Sequence, residues 1–190
     1  MGLHFSSEEF KSRKNKVITK LKEEKIDALV MFRQESMYWL TGYDTFGYVF
    51  FQSLILDQKG NLILLTRAPD LRQARNTSNI EDIRIWVDKD DSNPTEDLKQ
   101  ILNELNLKDK NIGIEYEAYG LTGRNAINLN RSLENFCSLD DNSELITKLR
   151  VIKSPEERVY VKKAAALADK ALNEVWKFAK KGVSESKILA

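Results

Sequence analysis

SMYWLTGYDTFGYVFFQSLIL, residues Ser36 to Leu56, is the stretch on which the fold of this 190-residue chain turns. Tyr38, Trp39, Tyr43, Phe46, Tyr48, Phe50 and Phe51 fall within fourteen residues, broken by Gly42 and Gly47. In a sequence that is otherwise charged and polar, so dense an aromatic run forms either the centre of a core or the wall of a pocket. Core is the simpler reading. Thr41, Asp44, Thr45 and the two glycines nevertheless have the character of a loop feeding a strand. Tyr48–Leu56 is therefore expected to be a strand, and Tyr43–Gly47 an exposed loop in front of it.

On the N-terminal side, Ser6-x-x-Glu9 is a capping box. Phe10, Val17, Ile18 and Leu21 then recur at helical spacing, which predicts an amphipathic helix to about Lys25. Asp27–Phe32 suits a buried strand and Glu35–Leu40 a short helix ended by Gly42. On the C-terminal side, Asp57–Asn61 is a turn cluster and Leu62–Thr66 the returning strand of an antiparallel hairpin. Pro69 opens a helical segment to Arg75, Ile83–Val87 is a strand, and Asp88–Pro94 a polar loop. A helix over Thr95–Leu105, a strand at Ile112–Glu115, a helix over Thr122–Glu134 and a short apolar piece at Phe136–Leu139 follow. This alternation predicts a layered α/β domain with a mixed sheet.

The last forty residues differ. Ser154-Pro155-Glu156-Glu157 combines an N-cap, Pro at the first helical position and Glu at the third. Val161, Ala164, Ala168, Leu172, Val175 and Ala179 continue one apolar stripe to Gly182, a helix of about seven turns. Ser184-Glu185 offers a new N-cap shortly before Ala190. A helix begun and not completed is expected where a boundary cuts a longer protein.

With 42% hydrophobic and 31% charged residues, the composition is that of an ordinary globular protein. A formal net charge of +1 makes no electrostatic case for nucleic acid or an anionic membrane. No apolar run approaches the ~18 residues of a membrane helix, and the N-terminus has no signal core, a cytoplasmic profile. Met1-Gly2 with Ser6 outlines a myristoylation signal, but Phe5–Glu9 already has the form of a helix start. Cys137 is the single cysteine, which leaves no intrachain disulfide or thiolate metal cage and fits a small buried filler.

Nucleophilic triads need a histidine, and His4, at a solvated terminus, is the one available. The same shortage argues against zinc. Asp88, Asp90 and Asp91 are interrupted by Lys89 and lack the glycine and terminal glutamate of a calcium loop, so they fit a solvated acidic loop. Gly42 and Gly47 have phosphate-loop spacing without the Lys-Ser/Thr pair that grips phosphate. Arg67 stands at a strand end, where it can reach a carboxylate; Asp70 caps the next helix or pairs with Arg67 in a structural ion pair. No catalytic set is complete.

Taken together, Tyr38-Trp-Leu-Thr-Gly-Tyr43, Leu65-Thr-Arg-Ala-Pro-Asp70, Ile112-Gly-Ile-Glu115, Leu149-Arg150-x-Ile152-Lys153-Ser154-Pro155-Glu156-Glu157 and Gly182-Val-Ser-Glu185 carry a resemblance. In this order they resemble the N-terminal domain of the creatinase/prolidase/aminopeptidase P family, the pita-bread metallohydrolases, over nearly the whole chain. The resemblance implies a three-layer ribonuclease-H-like domain, with a mixed sheet flanked by helices, over residues 1–150. Residues 151–190 would be a linker and the first long helix of a truncated pita-bread catalytic domain.

Catalysis in that family uses two divalent metal ions, Mn, Co or Zn, held by two Asp, one His and two Glu. No metal ligand and no catalytic residue carries over onto this chain, and no cofactor is expected in it. Such ions polarise a scissile carbonyl and supply a hydroxide. The implied role is that of a non-catalytic domain that forms a homo-oligomer, a dimer first of all, and walls the active site of a neighbouring subunit against a small peptide or amide substrate. Tyr43, Phe46, Tyr48 and Arg67 are the wall candidates. Where creatine-hydrolysing members resemble Phe-Gly-Arg, this chain has Phe46-Gly47-Tyr48, which argues against creatine. Tyr43–Phe51 is more similar to a bacterial branch that holds Xaa-Pro dipeptidases, Xaa-Pro aminopeptidases and ectoine-pathway hydrolases. The alternatives are a stand-alone pseudoenzyme or protein-binding module, and an ectoine-pathway or creatinase-like amidohydrolase as the parent enzyme.

Overall fold

Strand β1 (Ala28–Met31) is buried along its whole length and divides its side chains between two cores. Ala28 and Val30, with Phe32 just beyond, join one hydrophobic cluster, and Leu29 and Met31 join another, as the period of two along a strand requires. Around it lie β2 (Ser53–Asp57), β3 (Leu62–Arg67), β4 (Asp82–Trp86), β5 (Asn111–Ile114) and β6 (Ser138–Asp141), in the order β4-β3-β2-β1-β5-β6. The β1/β2 and β2/β3 pairs are antiparallel, and β3/β4, β1/β5 and β5/β6 parallel. Only β2 therefore runs against the rest, and the other five carboxyl ends share one edge of the sheet.

Six helices pack on this sheet: α1 (Ser7–Glu23), α2 (Gln34–Thr41), α3 (Leu71–Thr77), α4 (Pro94–Glu104), α5 (Gly123–Leu133) and α6 (Leu145–Val151). Val17 and Leu21 of α1, Met37 and Leu40 of α2, Ala74 of α3 and Ile146 of α6 cover the face bearing Leu29 and Met31. Leu98, Ile101 and Leu102 of α4 and Leu129 and Leu133 of α5 cover the other. The result is the expected three-layer arrangement, a mixed sheet between helical layers. Cys137 sits half-buried at the margin of the core beneath α4 and α5, where burial pushes its thiol up to about 11.

The computed structural model describes residues 3–189, so the Met1-Gly2 outline lies outside the described residues. The chain divides between Val151 and Ile152 into two compact units. The second consists of α7 (Pro155–Phe178) and α8 (Glu185–Leu189). At the start of α7 the capping box is closed in both directions. The Glu157 N–H donates to Ser154 Oγ at 3.1 Å, and the Ser154 N–H to Glu157 Oε2 at 2.7 Å. None of the α7 side chains is buried. Among the described residues no helix is long and apolar enough to cross a membrane.

Three expectations need correction, and one helix was not expected at all. The aromatic strand does not begin at Tyr48. Gly47–Val49 is a 3-10 turn closed by the Phe50 N–H on Gly47 O at 3.0 Å, and β2 starts only at Ser53. The short polar pattern Asn142–Arg150 conceals α6, whose two fully internal positions, Leu145 and Ile146, are too few to register a period. Helix α1 stops at Glu23, because Lys25 takes a left-handed φ of 58°. Helix α7 stops at Phe178, one turn before Gly182.

Gly42 does end α2 as expected. It adopts φ 82° and donates its N–H to Tyr38 O at 2.7 Å, and a Cβ there would lie 3.0 Å from the Thr77 carbonyl. Gly42→Ala is expected to destabilise the fold by about 2 kcal/mol, combining left-handed strain with a backbone clash. Urea denaturation measures this, and a loss below about 0.5 kcal/mol would show that the turn relaxes freely.

Candidate functional site

Because β1 and β5 are parallel neighbours, the segments leaving their carboxyl ends run side by side. Phe32–Glu35 follows β1 and Tyr116–Gly120 follows β5, and with Tyr48 and Arg150 they line an open cleft of about 960 Å³. Crevices at the carboxyl ends of sheet strands are where open α/β sheets bind ligands. Gly120 is what lets the walls meet. A Cβ on it would lie 3.0 Å from both the Phe32 and the Tyr48 carbonyl oxygens.

The floor of the cleft hangs on Glu115, the residue that follows β5. Its carboxylate is fully buried. Oε2 accepts the N–H groups of Phe32 and Arg33, both at 3.0 Å, and Oε1 accepts the Ser36 hydroxyl at 2.6 Å. Burial raises its pKa above the ordinary carboxylate range, against the opposing pull of Ser36, of the two backbone donors and of the Arg33 charge. Arg33 then ties three segments together. Its Nε donates to Glu117 O at 2.6 Å, Nη1 to Thr147 Oγ1 at 2.8 Å and Nη2 to Glu117 Oε2 at 3.1 Å. Tyr116 donates its hydroxyl to Asn130 Oδ1 at 2.6 Å, while Tyr119, 94% exposed, projects from the same loop.

The four wall candidates occupy four different settings. Tyr48 lines the cleft. Phe46 is 84% exposed on the loop before it. Tyr43 is not exposed as expected: it lies in the core beside Leu40 and Leu54 and donates its hydroxyl to Gln52 Oε1 at 3.1 Å. Burial raises the pKa of that hydroxyl. Arg67 forms the expected ion pair with Asp70, at 3.4 Å, and a second with Asp88, at 3.3 Å, and its guanidinium carbon lies 3.3 Å from the Phe50 ring centroid.

Sequence reasoning missed the loop Tyr116–Gly120 and the anchoring role of Glu115. A lone glutamate closing the apolar run Ile112–Ile114 was the available signal. His4 lies elsewhere, with Nδ1 2.7 Å from the Tyr38 hydroxyl. Among the described residues no group of three or more His, Cys, Asp or Glu side chains could hold a metal ion.

A mixed sheet between two helical layers, with an aromatic cleft at its carboxyl edge, defines a three-layer α/β domain. The model of the Creatinase/Prolidase N-terminal domain family matches residues 13–152, and the chain belongs to that family. An uncharacterized hydrolase/peptidase of Sinorhizobium fredii is 28% identical over 195 residues, covering 99% of this chain and 50% of that protein. The ectoine hydrolase of Halomonas elongata is 28% identical over 197 residues, covering 100% of this chain and 49% of that protein. The Xaa-Pro dipeptidase from Bacillus anthracis shares the fold with a TM-score of 0.75 at 18% identity, over 94% of this chain and 46% of that chain. A solved Xaa-Pro aminopeptidase chain from Streptococcus pyogenes is matched over 99% of its length by 76% of this one, with a TM-score of 0.61 at 16% identity. The chain thus spans about half the length of the curated relatives it matches.

Proposed function

We propose that this chain is a non-catalytic wall domain of a dimetal hydrolase, an Xaa-Pro dipeptidase or aminopeptidase or a small-amide hydrolase, and that it oligomerises to cover the active site of a neighbouring subunit. The observation that carries this reading is the cleft walled by Tyr48, Tyr116 and Tyr119 at the carboxyl edge, on a domain of this family. Aromatic walls supply contact area at low conformational cost and no proton transfer at neutral pH. The side chains among the described residues do not fit a two-ion centre, so the Mn, Co or Zn ions belong in this proposal to the catalytic part of the assembly. No step of the reaction is assigned to this chain's own residues. A protein-binding module is the second reading, favoured by the exposure of Phe46 and Val49 on the same edge.

The test is to incubate the purified chain with Mn²⁺, Co²⁺ or Zn²⁺ and Xaa-Pro dipeptides while measuring its mass in solution by light scattering. The expected result is no turnover and a dimer. Metal-dependent hydrolysis by the chain itself would overturn the non-catalytic assignment, and a strict monomer at high concentration would favour the binding module.

A further inference from the structure

The structure assigns to Arg67 a positioning role: it holds the tongue formed by residues 44–50 in one conformation by acting through Phe50 and Asp70, and does not itself meet the ligand. The use of a fixed tongue rests on the wall function proposed above, whereas the fixing itself does not.

Three observations converge on Arg67. Its side chain is 14% exposed, with the guanidinium stacked on Phe50 and paired to Asp70 and Asp88, so little of it is left to offer a ligand. Asp70 in turn lies against the backbone of the tongue, where a Cβ on Gly47 would be 2.9 Å from its carboxyl group. Within the tongue, the Gly47 N–H donates to Thr45 Oγ1 at 2.7 Å, and the Phe50 N–H closes the 3-10 turn on Gly47 O.

Both ends of the tongue are anchored as well. Tyr43 before it is buried and bonded to Gln52. Phe51 after it is buried, and its carbonyl accepts the Trp86 indole N–H at 2.9 Å. Trp86 stands opposite Arg67 in the β3/β4 register, so one pair of neighbouring strands supplies the clamp on Phe50 and the anchor on Phe51. What the held backbone presents is Phe46 and Val49 to solvent and Tyr48 to the cleft. A surface ordered in advance loses less entropy when a substrate or partner settles on it.

Native-state hydrogen exchange on the whole chain tests this. In Arg67→Met the Gly47 and Phe50 amides are expected to exchange about tenfold faster, while amides of β1 and β5 keep their protection. Arg67→Lys, which retains the charge but not the planar stack, is expected to fall between wild type and Arg67→Met. If Arg67 works through Phe50, the double variant Arg67→Met/Phe50→Leu exchanges no faster in the tongue than Arg67→Met. Unchanged tongue exchange, a parallel rise across β1 and β5, or additive effects in the double variant would each overturn the assignment. Turnover by the isolated chain would defeat the proposed function and leave these exchange results untouched, so the two failures are separable.

Discussion

Glu115→Ala is expected to lower the unfolding free energy by about 4 kcal/mol, since each buried donor left without an acceptor costs roughly 1–3 kcal/mol. The substitution orphans three donors at once: the N–H groups of Phe32 and Arg33 and the Ser36 hydroxyl. These lie where β1 passes into α2, so the loss also loosens the floor of the cleft. Glu115→Gln is expected to cost less, because one oxygen still accepts, although its amide group turns a donor toward donors. A loss below about 1 kcal/mol for Glu115→Ala would mean that water replaces the carboxylate at little cost.

The same residue predicts a pH dependence of definite sign. Burial holds the Glu115 carboxyl above its ordinary pKa in the folded protein, so the folded state binds that proton more tightly than the unfolded chain. Its contribution to stability is complete below the unfolded pKa and declines as pH rises through the folded value. The unfolding free energy of wild type minus that of Glu115→Gln should therefore shrink as pH is raised across that window. A difference that stays flat would show that burial does not control this proton.

Arg13→Ala is expected to cost about 3 kcal/mol, as removal of one partner from a buried ion pair does, and to lower the melting temperature by roughly 10 °C for a domain of this size. Arg13 is only 1% exposed. Its Nε pairs with Glu9 Oε1 at 2.9 Å, its Nη1 donates to the Trp39 carbonyl at 2.8 Å, and its guanidinium lies 4.0 Å from the Phe5 ring centroid. Alanine removes the packing and leaves Glu9 and the Trp39 carbonyl without this donor. Arg13→Met separates the contributions, because it keeps most of the apolar bulk. If methionine restores full stability, packing alone accounts for the site and the ion pair contributes nothing.

Period and punctuation made most of the architecture readable before any coordinates. Asp27–Phe32, Leu62–Thr66 and Ile112–Glu115 alternate or run apolar over strand lengths. Gly42 and the Ser154/Glu157 capping box mark helix ends by chemistry confined to a few neighbouring residues, and such local rules survive folding unchanged. Helix α6 escaped because its two buried positions, Leu145 and Ile146, are too few to register a period. The strand start at Ser53 escaped because aromatic residues suit a strand and a packed turn equally, and the bond from Gly47 to Thr45 chooses between them.

For the site, the stretch Ser36–Leu56 supplied Tyr48 from sequence alone, with Phe46 on the exposed loop before it. It could not tell that Tyr43 points into the core, because one aromatic residue carries the same signal whether it faces Leu54 or solvent. Arg13 shows the same limit for charge: a guanidinium on a helix is solvated by default, and only Glu9, Trp39 and Phe5 brought around it make burial tolerable. Glu115 and Tyr119 join Tyr48 in one site only because β1 and β5 are parallel neighbours. The sequence alone determined most of the elements and the family motifs, which depend on neighbours along the chain. Tertiary structure alone decided which aromatics became core and which came to line the cleft, because the cleft forms where strands more than eighty residues apart in sequence pair side by side.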